Sequence, residues 1–347
     1  MQQPYDLVII THVPCFYKVN LYHQLAKQLR LYVIFVAPNA QNRTADFVEL
    51  TLNFAHCFLS TVPLEKRRRF ITSWAALRKL KKLTYHQVLL SGWELPEFWA
   101  IAWLTQTPKL LALESNCFES TAQGIKAWVK QRFLSQIAQV LASGTPHQQL
   151  LTQLGYQKPV WLTQGVGIFY RAKREVQAKI NQGRFLYVGR LAPEKNLSWL
   201  LAIFAQLPQY QLTLIGQGPL KASLKALAPP NVVFQDHVPN AQLGEHYLAH
   251  DIFILPSLRE PWGLVVEEAL YYGLPVLASH TVGCAQDLLV KHQVGYIFSP
   301  QQKTALITLL QAVMQPEIYQ RLQQNVQQLD FQQRDQWQIH QYIKACQ

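Results

Sequence analysis

Short apolar runs separated by longer stretches of helical periodicity recur along nearly the whole chain, and this rhythm constrains the fold more than any other feature. Each run is too short for a buried helix, so it reads as a strand buried on both faces. Strands that alternate with helices in this way build parallel sheets from βαβ units. In the first half, strands are expected near residues 6–11, 31–36, 86–90, 109–113, 139–142 and 159–162. Helices are expected near 18–30, 70–82, 95–105, 122–137 and 146–154. A pause follows from Thr163 to Gly183, with a charged stretch from Arg171 to Lys179.

The rhythm then restarts. Strands are expected at Phe185–Val188, Gln211–Ile215, Val232–Gln235, Ile252–Leu255, Val276–Ala278 and Gly295–Phe298. Helices fill the intervals near 197–206, 219–227, 241–249, 264–272, 284–290 and 302–313, and two more near 316–329 and 335–345 end the chain. A chain of 347 residues is long for one core and comfortable for two. The expected organisation is an α/β domain over 1–165, a linker over 166–183 and a second α/β domain over 184–330. A C-terminal helix over 331–347 is expected to pack back on the first domain. Two such sheets facing one another would place a ligand crevice at the carboxyl ends of their strands.

Hydrophobic residues make up 49% of the chain and charged ones 15%, which suits buried sheets rather than disorder. The five cysteines are scattered and form no Cys-x-x-Cys pair, so neither a disulfide framework nor a cysteine zinc site is suggested. Met1 to Thr11 has no basic n-region and reads directly as a strand, so a signal peptide is not expected. No run approaches the ~20 apolar residues that span a bilayer. The expected location is the cytoplasm, at most peripherally on the cytoplasmic face of a membrane.

The net charge of +12 is unevenly placed, with 17 Lys/Arg against 8 Asp/Glu in residues 1–165. Much of that excess lies in one stretch. Lys66 to Lys82 carries eight cations around Phe70, Ile71, Trp74, Leu77 and Leu80, the pattern of a basic amphipathic helix. It reads either as a docking face for anionic lipid head groups or as an ordinary helix with a solvated basic side.

Three motifs in the second half carry chemistry. Tyr187-Val188-Gly189-Arg190 through Lys195-Asn196 is a strand, a loop and a helix start. Gly189 lets the backbone turn off the strand, and Arg190 and Lys195 project from the loop at its carboxyl end. Two cations there suit a diphosphate, against the plainer reading of a solvated loop. Ile215-Gly216-Gln217-Gly218-Pro219 resembles a phosphate loop, but position 221 is Lys, so it is no dinucleotide fingerprint and also reads as a tight strand-to-helix turn. In Pro256 to Leu270, a loop ends at Gly263 and a helix begins, whose free amides form an anion site. Glu260 precedes that helix, where a carboxylate can read sugar hydroxyls. On this helix Val266, Ala269, Leu270 and Gly273 make the expected core face, which puts Glu268 on the opposite, wet side.

The Glu-x7-Glu pair Glu260/Glu268, with Pro-Trp-Gly-Leu-Val-Val between, resembles the signature of the family-four retaining glycosyltransferases of the GT-B fold. So does the order of elements over roughly 184–300: Gly189-Arg190 to Asn196, Gly216-x-Gly218, Val238-Pro239, Gly273-x-Pro275-Val276 and Gly283 to Gly295. The resemblance implies two Rossmann-like parallel-sheet domains around a central cleft. It implies a nucleoside-diphosphate-sugar donor and a glycan or lipid-linked acceptor, with retention of anomeric configuration. The expected setting is cell-envelope polysaccharide, lipopolysaccharide or glycolipid synthesis.

By the same resemblance, Arg190 and Lys195 would hold the donor diphosphate, Glu260 the sugar and Glu268 the ribose. His237 and Val238 would flank the base, and the amides of Gly263, Leu264 and Val265 would meet phosphates or sugar. Gly189, Gly216 and Trp262 complete the donor-binding set. Asp236 stands where a glycine often follows the strand. On the acceptor side, His12 and Tyr17 leave the first strand, and Glu114 ends another strand where many relatives present a histidine. Glu260 and Glu114 are the candidate catalytic residues, with helix capping or pairing to a base as the competing role for Glu114. No Asp-x-Asp element or ligand cluster is evident, so neither a metal nor another cofactor is expected. Two rivals stay open: a nucleotide-sugar epimerase or phosphorylase using the same fold, and a basic nucleic-acid-binding protein. The latter lacks any recognised binding module or stacking surface.

Overall fold

Strand β1 (Tyr5–Thr11) shows why these apolar runs become buried strands. Successive side chains point to opposite faces, so Val8 and Ile10 enter one core while Leu7 and Ile9 enter another. A strand covered on both faces has no solvent side and therefore no polar alternation. The computed structural model describes residues 3–41, 50–172 and 179–347. The expected linker over 166–183 includes residues 173–178, which lie outside them. The chain divides into two units, Met1–Phe169 with Gln332–Gln347, and Tyr170–Phe331.

In the first unit, β2 (Leu31–Phe35), β3 (Ala55–Phe58), β4 (Tyr85–Leu90), β5 (Lys109–Leu113), β6 (Gln139–Ala142) and β7 (Val160–Leu162) join β1 in one parallel sheet. Its order is β3-β2-β1-β4-β5-β6-β7. Helix α1 (Phe16–Leu25) and the C-terminal helix Phe331–Cys346 cover one face. Helices α2 (Arg69–Lys81), α3 (Pro96–Leu104), α4 (Gly124–Ser135) and α5 (Thr145–Gln153) cover the other. The C-terminal helix is tied down where Trp337 donates to the Leu162 carbonyl at 2.9 Å and Arg334 to that of Gln164 at 2.7 Å. Strand β3 escaped the sequence reading because it is an edge strand with no buried residue, so its pattern carries little apolar signal.

The basic stretch does not present a uniform cationic side. Arg67 turns inward and donates two hydrogen bonds, of 2.7 and 2.9 Å, to Glu97, which is fully buried. Thr72 donates to the same carboxylate. Burial pushes the Glu97 carboxyl up, but Arg67 and Thr72 outweigh it and hold the carboxyl below its ordinary range. Arg67 therefore belongs to the interior of the unit, because removing one partner of a buried pair typically costs about 3–5 kcal/mol. Among the described residues, no helix is long and apolar enough to cross a membrane.

The second unit holds β8 (Arg184–Val188), β9 (Gln211–Ile215), β10 (Val232–Gln235), β11 (Ile252–Leu255), β12 (Val276–Ser279) and β13 (Gly295–Phe298). All are parallel, in the order β10-β9-β8-β11-β12-β13. Helices α6 (Leu197–Phe204), α7 (Lys221–Leu227), α8 (Leu243–Ala249) and α9 (Leu264–Tyr271) connect its strands. The helix expected at 284–290 is instead a wider π-turn at Gln286–Val290. The strand order reverses between β8 and β11, so the loops leaving them diverge and open a crevice at their carboxyl ends.

The amino ends of the same two strands are sealed by Asp251, which is fully buried. It accepts the backbone amides of Gln182 and Arg184, each at 3.0 Å, and the Arg184 guanidinium at 2.8 Å. Asp251→Ala leaves those donors unpaired, and a loss of about 3–5 kcal/mol is expected from the second unit in urea unfolding. A midpoint equal to wild type would show that the seal contributes nothing.

Candidate active site

The crevice at the β8/β11 switch point is furnished by two loops that the backbone ties together. After β8, the chain turns at Gly189, passes Arg190 and makes one 3-10 turn at Pro193–Lys195 before α6. After β11, it runs through Ser257 and Glu260 to Gly263 and into α9. The Leu258 amide donates to the Glu194 carbonyl at 2.8 Å, joining the two loops directly. Across this junction Lys195 pairs with the Glu260 carboxylate, and each side chain is 14% exposed. Ser257 also donates to Glu260, at 3.4 Å.

Arg190 lies at the same strand end, its carbonyl fixed by the buried Tyr187 hydroxyl at 2.9 Å. Its guanidinium pairs with Glu194 and is 55% exposed. Burial pushes the Glu194 carboxyl up, but its own backbone amide and Arg190 hold it below its ordinary range. Both cations expected to meet a diphosphate are therefore engaged with carboxylates. The two pairs differ in kind. An exposed i,i+4 pair is worth little and opens readily, whereas the enclosed Lys195–Glu260 pair fixes both groups in the crevice.

Gly216 and Gly218 serve the loop from beside it. A Cβ at Gly216 would lie 2.0 Å from the Gly189 carbonyl oxygen, and one at Gly218 2.3 Å from that of Leu191. Their missing side chains let the β9 loop seat on the β8 loop, where the Leu191 amide donates to the Gln217 carbonyl at 2.8 Å. His237 and Val238 are half-buried in the loop after β10, beyond a pair between Lys221 and Asp236.

Gly263 adopts φ +98°, a left-handed conformation that a side chain would strain. It starts α9, whose first amides, at Leu264 and Val265, have no acceptor within the helix and so face outward from its end. The preceding loop is pinned by the Gly283 amide on the Glu260 carbonyl at 3.0 Å and the Cys284 amide on that of Trp262 at 2.9 Å. Trp262 itself is buried, and its indole donates to Glu267, so its side chain orders the loop from beneath.

The expectation that Glu268 faces water is wrong. Glu268 is buried, and the Tyr247 hydroxyl donates to it at 3.0 Å. The core face of α9 is wider than its apolar residues indicate, because aromatic hydroxyls on neighbouring elements supply polar partners. Tyr247 stacks on Tyr272 with centroids 5.4 Å apart. Burial pushes the Glu268 carboxyl up to about 7, with Glu267 adding to the rise and the Tyr247 hydrogen bond opposing it.

The first unit places polar pairs at its own switch point, between β1 and β4. His12 follows β1 and pairs with Glu94, which follows β4, while its ring meets Phe98 edge-on at 5.1 Å. Burial pushes the Glu94 carboxyl up, but the hydrogen bond and charge of His12 leave it below its ordinary range. Glu114, at the end of β5, pairs with Lys18 of α1 at 2.6 Å. The pairing role therefore describes Glu114 in this chain better than that of a free base. Tyr17 is buried, and its backbone carbonyl accepts the Ile168 amide at 2.8 Å. Glu94 escaped the sequence reading, although it stands just past a strand end, where the switch-point rule would have found it. Among the described residues, no group of three or more His, Cys, Asp or Glu could hold a metal ion.

A carboxyl with a raised folded pKa is neutral in the folded chain and ionised in the unfolded one between its two pKa values. Stability conferred through Glu268 therefore falls as pH rises from its ordinary 4.5 to about 7, then levels off. Glu268→Gln removes that titration, so its unfolding free energy is expected to gain on wild type across this range, by up to about 3 kcal/mol. A difference that does not vary with pH would contradict the burial argument.

Residues 170–329 match the family model described as glycosyl transferases group 1. The sulfoquinovosyl transferase SQD2 of Arabidopsis thaliana is 31% identical over 150 residues, which is 41% of this chain and 29% of that protein. A GDP-mannose-dependent alpha-mannosyltransferase of Mycobacterium tuberculosis is 36% identical over 111 residues, 32% of this chain and 29% of that protein. The matched part thus spans less than a third of either relative. Among solved structures, Anabaena HepE in complex with UDP and glucose superposes with a TM-score of 0.73 at 15% identity, covering 98% of this chain and 100% of that one. The chain thus has the two-domain α/β GT-B fold, and its second unit resembles the glycosyl transferases group 1 family over residues 170–329.

Proposed function

We propose that the chain is a retaining glycosyltransferase that moves a sugar from a nucleoside-diphosphate sugar to a glycan or lipid-linked acceptor. The observation that carries the proposal is the pairing of Lys195 with Glu260 at the switch point of the second unit. The relatives support a nucleotide-sugar donor: one is named for GDP-mannose, and HepE was solved with UDP and glucose. In this reading the donor diphosphate draws Arg190 away from Glu194 and competes with Glu260 for the hydrogen-bond donors of Lys195. The first amides of α9 add fixed positive dipoles. Together these groups stabilise negative charge as it grows on the departing diphosphate, the electrostatic task that usually contributes most.

Glu260, held in place by Lys195 and Ser257, is positioned to accept hydroxyl groups of the donor sugar. Glu268 serves the ribose from behind, and the cluster of His12 and Glu94 in the first unit serves the acceptor side. Retention of configuration belongs to the proposal through the Glu-x7-Glu resemblance. The cations supply the charge that a divalent metal would otherwise bring, so EDTA is expected to leave turnover unchanged.

Thermal unfolding in the presence of UDP, GDP and ADP tests the donor site. One nucleoside diphosphate is expected to stabilise wild type, because a ligand that binds the folded state raises its stability. Lys195→Ala should weaken that ligand by about 1.5–3 kcal/mol, or roughly tenfold to a hundredfold, through loss of a charged hydrogen bond. Absence of any shift in folded wild-type protein would overturn the reading. Sugar-nucleotide consumption without an acceptor, or only with free phosphate, would favour an epimerase or phosphorylase.

A further inference from the structure

We propose that the outer surface of helices α2, α3 and α4 in the first unit docks on an anionic lipid bilayer. The inner sides of these helices pack into one core through Ala76, Leu80, Phe98, Ile101, Ala127 and Phe133. Their outer sides carry large apolar residues left open to solvent. Phe70 is 93% exposed and Trp74 60% on α2, and Ile125 81% and Trp128 58% on α4, with Trp103 and Leu104 exposed at the end of α3. Single exposed apolar residues are ordinary, but a set spread over three neighbouring helices marks an interaction surface.

The cations on this surface are interleaved with the aromatics. Arg78 lies over the Trp74 ring at 5.1 Å, and Arg132 lies over both Trp128, at 5.6 Å, and Trp103, at 6.0 Å. Arg132 thereby joins α3 to α4 across the surface. Residues 66–82 and 123–137 contain no Asp or Glu. Tryptophan and arginine side by side on an acid-free face suit the head-group level of a bilayer, where the rings enter the acyl boundary and the cations meet phosphates. A second copy of the chain fits less well, because a two-fold interface would bring this face against itself and oppose like charges. The surface differs from the basic stretch taken alone: Arg67 is withdrawn to Glu97, while α3 and α4 contribute residues from outside it.

The test is sedimentation of the full chain with phosphatidylcholine vesicles that contain or lack phosphatidylglycerol. Its readout is binding rather than turnover, so it is independent of the transferase reading. Wild type is expected to bind the anionic vesicles at least about tenfold more strongly than the neutral ones, and to release at high salt. Two variants should each lose about tenfold or more: Phe70→Ser with Trp74→Ser and Trp128→Ser, and Arg78→Gln with Lys81→Gln, Lys82→Gln and Lys126→Gln. All the altered side chains are exposed, and circular dichroism confirms that the variants fold. Equal binding to both vesicle types overturns the proposal, as does wild-type binding by the aromatic variant. A dimer in light scattering that the aromatic variant converts to monomer, without vesicle binding, assigns the surface to a second copy instead.

Discussion

The ion pair between Lys195 and Glu260 depends on the strand order of the second unit, and the chemistry proposed for that unit depends on the pair. The residues are 65 apart in sequence. They meet because β8 and β11 are neighbours although two strands intervene along the chain, and because the Leu258 amide ties their two loops together at the Glu194 carbonyl. Asp251 closes the other end of the same strands, so the sheet is locked at its amino edge and open at its carboxyl edge. Around the pair, glycines at 216 and 218 permit loop-on-loop contact, while bridges from residues 282–284 hold the Glu260 loop from the far side. The pair thus sits on a rigid scaffold, which is what a preorganised electrostatic site needs.

The first unit repeats the device. His12 and Glu94 close the β1/β4 switch point much as Lys195 and Glu260 occupy β8/β11. In both units the polar groups at the strand ends are already joined in pairs. In the proposed reaction an approaching diphosphate or hydroxyl therefore competes with an existing partner instead of finding a bare charge. Such competition favours ligands that replace both sides of the pair, as a sugar joined to a diphosphate would, over either fragment alone.

All six strands of the second unit were legible in the sequence, because strands buried on both faces leave continuous apolar runs between turn residues. The loop positions of Arg190, Lys195, Glu260 and Gly263 followed from those strands. Partners across the sheet were not legible. Periodicity places Glu268 by its own helix alone, whereas its burial is decided by Tyr247 on α8, and the basic stretch alone groups Arg67 with its surface cations because Glu97 lies on a different helix. The edge strand β3 lacks the apolar run that betrayed the others. Side chains whose position depends on residues distant in sequence are the ones that one-dimensional patterns miss.

The most direct test of the account is calorimetric titration of Glu260→Gln with the nucleoside diphosphate that stabilises wild type, and with its sugar conjugate. Removing the carboxylate frees Lys195, so the account predicts that the diphosphate binds more tightly than to wild type while the added sugar contributes less. A diphosphate affinity unchanged or weakened, with the sugar's contribution intact, would contradict the claim that Lys195 and Glu260 form the donor site.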